Sequence, residues 1–191
     1  MVQPARQNYT PEEYLRLEES SLEKHEFYKG DIFLMAGATE SHNLIAANAI
    51  IELGSGLRGK PCKVYSSDMR IQVQSNGLYT YADVSVVCGQ VEFATSRTDT
   101  ITNPILIIEV LSPSTEKYDR SQKFELYRAL TSLENYLVID QARIYVEYHR
   151  RVEGTKWLME TYSRLDEVIK LPWFNLQIPL VNLYDKTDLV I

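Results

Sequence analysis

Two apolar, strand-like segments of this chain each carry a single acid, and a helix-like segment that follows carries a lysine. They are Asp83 in Tyr81-Ala-Asp-Val-Ser-Val-Val87, Glu109 in Ile105-Leu-Ile-Ile-Glu-Val-Leu-Ser-Pro113, and Lys123 in Tyr118-Asp-Arg-Ser-Gln-Lys-Phe-Glu-Leu-Tyr127. A carboxylate inside a strand costs several kcal/mol of desolvation unless something offsets it, and a bound cation does so well. At about 100° per residue, Lys123 shares a helix face with Asp119, Leu126, Tyr127 and Leu130, while Ser121, Glu125 and Arg128 point elsewhere. That face is the apolar one, so the lysine is expected to look toward the sheet that carries the acids. Two acids and an amine converging on a sheet edge suggest a metal-dependent hydrolytic site.

The elements that must position these residues can be read in order. Thr10-Pro-Glu-Glu13 combines an N-cap, a proline at the first helical position and a capping-box glutamate, which predicts a helix to about Ser20. A hairpin follows, Lys24 to Tyr28 and Ile32 to Ala36, turning at Lys29-Gly-Asp31. Glu26 lies in its first strand, as an exposed strand glutamate or as a functional acid. Glu40 to about Leu57 reads as a second helix with His42 beside Ile45, Ala49 and Leu53, where a histidine is more often a packing residue than a ligand. Cys62 to Gln74 and Leu78 to Cys88 are expected as two continuous strands around Ser75-Asn-Gly77. Asp68, among Ser66, Ser67 and Arg70, has the setting of a polar surface acid. Val91 to Thr102 reads as a loop or edge strand, and Pro104 to Leu111 as the central, most apolar strand. The helix Tyr118 to Leu130 then leads to strands Asn135 to Asp140, Arg143 to Arg150 and Trp157 to Tyr162.

These elements predict one α/β domain spanning residues 1–191, a mixed central sheet flanked by helices, with a crossover from the central strand to a parallel neighbour. The 45% apolar and 24% charged content is that of a folded globular chain and argues against disorder. A net charge of -6 speaks against nucleic-acid binding through bulk charge, although acids gathered around a metal would account for part of it. Arg58 with Lys60 and Lys63, Lys117 with Arg120, and His149-Arg-Arg151 are local basic clusters or simply a solvated surface. The two cysteines, Cys62 and Cys88, lack a CxxC spacing, which fits a reducing compartment without a disulfide framework or zinc site. Met-Val-Gln-Pro-Ala-Arg lacks the apolar run of a signal peptide, and no stretch approaches the ~18 apolar residues of a membrane span. A cytoplasmic protein without membrane contact is expected.

Taken together, Tyr9-Thr-Pro-Glu-Glu-Tyr14, His25-Glu-Phe-Tyr-Lys-Gly30, Ser41-His42, Ala82-Asp-Val84, Ile108-Glu-Val-Leu-Ser-Pro-Ser114 and Asp119-Arg-Ser-Gln-Lys-Phe-Glu-Leu-Tyr127 resemble the Uma-type putative restriction endonuclease family. That family lies in the PD-(D/E)XK nuclease superfamily. The resemblance runs from Thr10 to about Leu183 and implies a restriction-endonuclease-like fold. It makes Asp83 and Glu109 the motif acids, Lys123 the motif lysine and Glu26 an additional upstream acid. Two positions depart from the superfamily pattern: Ala82 stands where proline is usual, and Leu111 where the lysine is usual. The implied cofactor is Mg²⁺ or Mn²⁺ on Asp83, Glu109 and the Val110 carbonyl, with Glu26 completing the shell. Lys123 would orient the attacking water, with Tyr127, Asp119 and His42 in support around the site. The expected substrate is DNA. Because duplex cleavage needs two sites, a homodimer is expected, through the early hairpin or through the strand pair near Tyr145 and Tyr148. A non-catalytic nucleic-acid-binding or interaction module that kept the fold is the alternative.

Overall fold

The computed structural model describes residues 8–35, 37–112 and 118–190. Helix α1 (Pro11–Ser20) starts as predicted, with Thr10 and Glu13 bonded reciprocally in a capping box. Strands β1 (His25–Tyr28) and β2 (Asp31–Leu34) form the first hairpin, and Tyr28 pairs with Asp31. The two-residue turn between them needs positive φ at both positions, and Lys29 and Gly30 have φ of 50° and 87°. Ala36, the predicted end of this hairpin, lies outside the described residues. Helix α2 (Glu40–Gly56) follows, capped by the Thr39 hydroxyl.

The next two predicted strands are each broken in the middle. Cys62 to Gln74 divides into β3 (Cys62–Ser66) and β4 (Arg70–Val73), and Leu78 to Cys88 divides into β5 (Leu78–Tyr81) and β6 (Val84–Cys88). Between the pairs Ser66–Val84 and Arg70–Tyr81, the three residues Ser67–Met69 face the two residues Ala82–Asp83. One extra residue on one side of an antiparallel pair is a β-bulge, and bulges bend a hairpin and sharpen its twist. Here the bend carries the hairpin from one sheet into another.

The expected single sheet is therefore two. One has the order β2-β1-β5-β4-β7, where β7 (Thr100–Ile101) runs parallel to β4. The other has the order β11-β10-β9-β8-β6-β3, with β8 (Leu106–Leu111), β9 (Asn135–Asp140), β10 (Val146–Glu153) and β11 (Lys156–Tyr162). The central position of β8 and its parallel pairing with β9 agree with the sequence expectation. The predicted helix Tyr118 to Leu130 is shorter and less regular. A π-helical turn (Asp119–Lys123) runs into α3 (Phe124–Tyr127). The chain closes with a small sheet of β12 (Val168–Leu171) and β13 (Leu176–Pro179), then α4 (Leu180–Leu183).

Period-two alternation along β8 divides the core. Leu106, Ile108 and Val110 pack with Ile45, Ala49 and Leu53 of α2 and with the C-terminal elements. Ile107 and Leu111 pack on the opposite side with Phe124, Leu126 and Tyr127 and with Ile71 and Leu78 of the five-stranded sheet. Glu109 shares the parity of Ile107 and Leu111, so its side chain enters the second layer, beneath the π-turn. Tyr148 is fully buried and bonded to Asn135, so it does not belong to a candidate dimer surface. Among the described residues no helix is long and apolar enough to cross a membrane.

The cysteine expectation is corrected as well. Cys62 and Cys88 sit opposite each other in the β3–β6 register and form a disulfide. The separation of 26 residues hid a partnership that the strand register creates. Closing a loop of that length stabilises a fold by about 3 kcal/mol. Urea unfolding with and without reductant should differ by roughly that amount, and a thiol assay on the unfolded, unreduced chain should find no free cysteine.

Candidate active site

The site forms where β1, β8, the π-turn and the bulged hairpin meet. The Lys123 ammonium lies 3.0 Å from Glu26 Oε1, 3.0 Å from Glu109 Oε1 and 3.8 Å from Asp119 Oδ1, with its side chain only 4% exposed. It also reaches the Tyr81 carbonyl at 3.5 Å. Burial divides the π-turn and α3 as the helical-face argument predicts: Asp119, Lys123, Leu126, Tyr127 and Leu130 are buried, and Ser121 and Glu125 are exposed.

Each acid is held by a different partner. Tyr127 donates to Glu109 Oε1 at 2.9 Å. Thr80 donates to Glu26 Oε1 at 2.5 Å, and Tyr118 to Glu26 Oε2 at 3.2 Å. Glu26 is thus buried and fully engaged, unlike an exposed strand glutamate. Asp83 sits at the break between β5 and β6 instead of in a strand interior. Strand β6 begins at Val84, opposite Ile108, so the Val110 amide lies beyond the ladder on that side. Asp83 Oδ2 accepts that N–H at 2.7 Å, as an unpaired backbone donor at a strand end requires. His42 joins this group, with Nε2 3.3 Å from Asp83 Oδ2 and Nδ1 buried with no hydrogen-bond partner among the described residues.

Acids outnumber cations here, and the ionisation of the groups reflects it. Burial disfavours the Lys123 ammonium, but Glu109, Tyr127, Glu26 and Asp119 outweigh burial and hold its pKa well above the ordinary lysine value. Burial pushes the Glu109 carboxyl well up; Lys123 opposes this, while Asp119 and Asp83 add to it. Burial works against the charged imidazole of His42, yet the Asp83 carboxylate raises its pKa overall. Burial also keeps Tyr127 a neutral phenol and hence a donor to Glu109.

Among the described residues no three His, Cys, Asp or Glu side chains form a ready metal cage. Asp83 and Glu109 nevertheless both line a cleft with an excess of acids and bring hard carboxylate oxygens to it. That donor set fits Mg²⁺, which retains several waters and is held by one or two carboxylates plus substrate phosphate. The residues fit such an ion.

A second network, which the sequence did not reveal, supports the first. Arg70, 5% exposed, donates from Nε to the Tyr81 hydroxyl at 2.9 Å. Tyr81 donates to Glu18 at 2.9 Å, and Glu18 also accepts the His25 amide at 3.1 Å. These bonds tie α1 and β4 to the ends of β1 and β5 that present Glu26 and the Tyr81 carbonyl. Thr80 and Tyr118 were missed for a related reason: nothing near Glu26 in the sequence points to either.

The basic clusters divide: Arg58, Lys60 and Lys63 are exposed, as the solvated-surface reading expects, while members of the other two are tied into the fold. Arg120 pairs with Glu147, and His149 packs on Phe124. Arg151 donates to the carbonyls of Leu133, Gly154 and Leu130. Lys117 lies outside the described residues.

Removing one member of a buried charge set leaves the others uncompensated, at a cost of about 3–5 kcal/mol. Lys123→Met should lower the unfolding free energy by that order. The double variant Lys123→Met with Glu109→Gln should recover part of the loss, because it removes charge of both signs. Urea unfolding of the four members of this cycle measures the coupling.

A family model described as "Uma2: Putative restriction endonuclease" matches residues 11–181. Two uncharacterized proteins of Synechocystis sp. (strain PCC 6803) are similar in sequence. One is 36% identical over 159 residues, covering 83% of each chain. The other is 37% identical over 150 residues, covering 78% of this chain and 85% of the relative. A crystal structure from Anabaena variabilis, described as a putative nuclease belonging to DUF820, superposes with a TM-score of 0.73 at 17% identity. The superposition covers 91% of this chain and 96% of that one and shows a shared fold. The family match over nearly the whole chain, with the two relatives, settles its kinship: the protein belongs to the Uma2 family of putative restriction endonucleases.

Proposed function

We propose that this protein is a metal-dependent endodeoxyribonuclease of the PD-(D/E)XK type, with Asp83 and Glu109 as metal-binding acids and Lys123 as the catalytic amine. The observation that carries this reading is the burial of Lys123 between Glu109 and Glu26, beside an acid held at the edge of the neighbouring strand. A lysine spent only on structure would need one carboxylate, and five acids, Glu23, Glu26, Asp83, Glu109 and Asp119, line this cleft. The excess negative charge suits a divalent cation, and the family match gives the reading its substrate class.

Hydrolysis of a phosphodiester adds the hydroxyl of water to phosphorus and returns the proton to the departing oxygen. A bound Mg²⁺ or Mn²⁺ would supply a Lewis acid for the charge that grows on the phosphate. Lys123 is fixed by its carboxylates so that its ammonium can orient the attacking water and favour its deprotonation. Glu109 is steadied by the Tyr127 hydroxyl, and Asp83 by the Val110 amide, so both present their oxygens from restrained side chains. Asp119 faces the Lys123 ammonium at 3.8 Å and adds to the negative charge, while His42 lies 3.3 Å from Asp83 and can oppose it. The Val110 carbonyl and Glu26 complete the proposed metal surroundings, Glu26 by way of Lys123 in the arrangement described above.

A non-catalytic module is the competing reading, and the lack of a ready three-ligand cage among the described residues favours it. Calorimetric titration with Mg²⁺ and Mn²⁺ separates the two. The wild type should bind, and Asp83→Ala should bind much more weakly. No binding by the wild type, or equal binding by both, overturns the site assignment. On plasmid and oligonucleotide DNA, Lys123→Met should lose roughly 10²–10⁴-fold in rate, as expected for a group that assists proton transfer. The circular dichroism spectrum must show the variant folded.

A further inference from the structure

The cleft over the acids has a volume of about 1020 Å³ and is lined by charged and hydrocarbon side chains together. Asp83, Glu109 and Lys123 line it, and so do Phe33, Leu34 and Met35 of the β2 segment and Ala46, Ala47 and Ile50 of α2. Phe33 and Leu34 are 52% and 60% exposed, an unusual state for large apolar side chains beside a cluster of charges. They stand on the outer strand of the five-stranded sheet, so no further strand covers them among the described residues.

We propose that the segment of substrate bound here is single-stranded DNA, with an unpaired base against Phe33, on the sheet face that also carries Glu26, and its phosphate at Asp83 and Glu109. The inference rests on the nuclease reading above and specifies the substrate for that site. A duplex turns its phosphates and sugars outward and keeps its base faces stacked, so it has nothing apolar to lay on this wall. An unstacked base has a free π-face, and aromatic and apolar side chains beside a strand's path are how proteins hold single strands.

Charge bears on how a strand would be held here. Among the described residues that line the cleft, the lysines and arginines are Lys24 and Lys123. Both are already committed. Lys24 binds Asp68 at 2.6 Å and the Ser67 carbonyl at 3.0 Å, and Lys123 binds Glu26 and Glu109. Duplex and single-strand binders alike draw affinity from cationic contacts to phosphate. This chain has a net charge of -6, and its cleft offers hydrocarbon in place of a cationic track. Contact with bases supplies the affinity that phosphate neutralisation does not. The cleft is also of the size that encloses a nucleotide-scale ligand.

The test uses the full chain with Mg²⁺ or Mn²⁺ and three substrates: a labelled single-stranded oligodeoxynucleotide, the same sequence as a blunt duplex, and bis(p-nitrophenyl) phosphate. The single strand should be cut at least tenfold faster than the duplex. Phe33→Ser should lower kcat/KM on the single strand roughly tenfold, mainly through KM, since one base–aromatic stack is of that order. Its effect on the small diester should be smaller. Leu158→Ser, on the outer strand of the other sheet, serves as the control exposed substitution. Equal or faster cutting of the duplex, or equal loss on the oligonucleotide and the small diester, overturns the inference while leaving the nuclease reading intact. No hydrolysis of any substrate by the wild type defeats both. Sedimentation that shows a dimer dissociated by Phe33→Ser makes the wall a self-association face and also overturns the inference.

Discussion

A lysine ammonium taken out of water and set between two carboxylates is the interaction on which the arrangement turns. Glu26, Glu109 and Lys123 come from β1, β8 and the π-turn, which belong to different sheets and a helical layer. None of the three charges is tolerable in the interior alone, and together they are tolerable only with Thr80, Tyr118 and Tyr127 filling the remaining positions. The charge set does little for net stability compared with apolar packing of the same volume. It joins residues of the two sheets and the helical layer, and it leaves a pocket rich in oxygen ligands.

The residues that could be found from sequence were those whose environment is set by local periodicity. Lys123 was legible because helical spacing puts it with Leu126, Tyr127 and Leu130, and the burial pattern follows that spacing across a π-helical turn. Glu109 was legible because a lone acid in Leu106–Leu111 has no bland explanation once the strand is central. The first hairpin, both long helices and the parallel β8–β9 step were legible from turn residues, caps and apolar runs.

What could not be read depends on partners distant in the chain. The bend that divides one long hairpin between two sheets leaves only a faint trace, the polar run Ser66-Ser67-Asp68, and Ala82–Asp83 opposite it contains no strand breaker. That bend moves Asp83 out of a strand and onto the Val110 amide, so the acid's orientation was not available from alternation. The Cys62–Cys88 bond arises from strand register, and the His42–Asp83 contact from how α2 lies across β6 and β8. The basic clusters show both outcomes. Arg58, Lys60 and Lys63 are the exposed surface that the sequence allowed, whereas the Arg151 guanidinium and the His149 imidazole tie loops and helices to the sheet.

The bulged hairpin has a thermodynamic consequence. Residues 62–88 supply β3 and β6 to one sheet and β4 and β5 to the other, so each sheet is built on strands covalently continuous with its neighbour's. Opening either sheet strips paired strands from the ends of the other. The two sheets should therefore melt as one cooperative unit, with amide hydrogens in β5 and β6 exchanging through the same global opening.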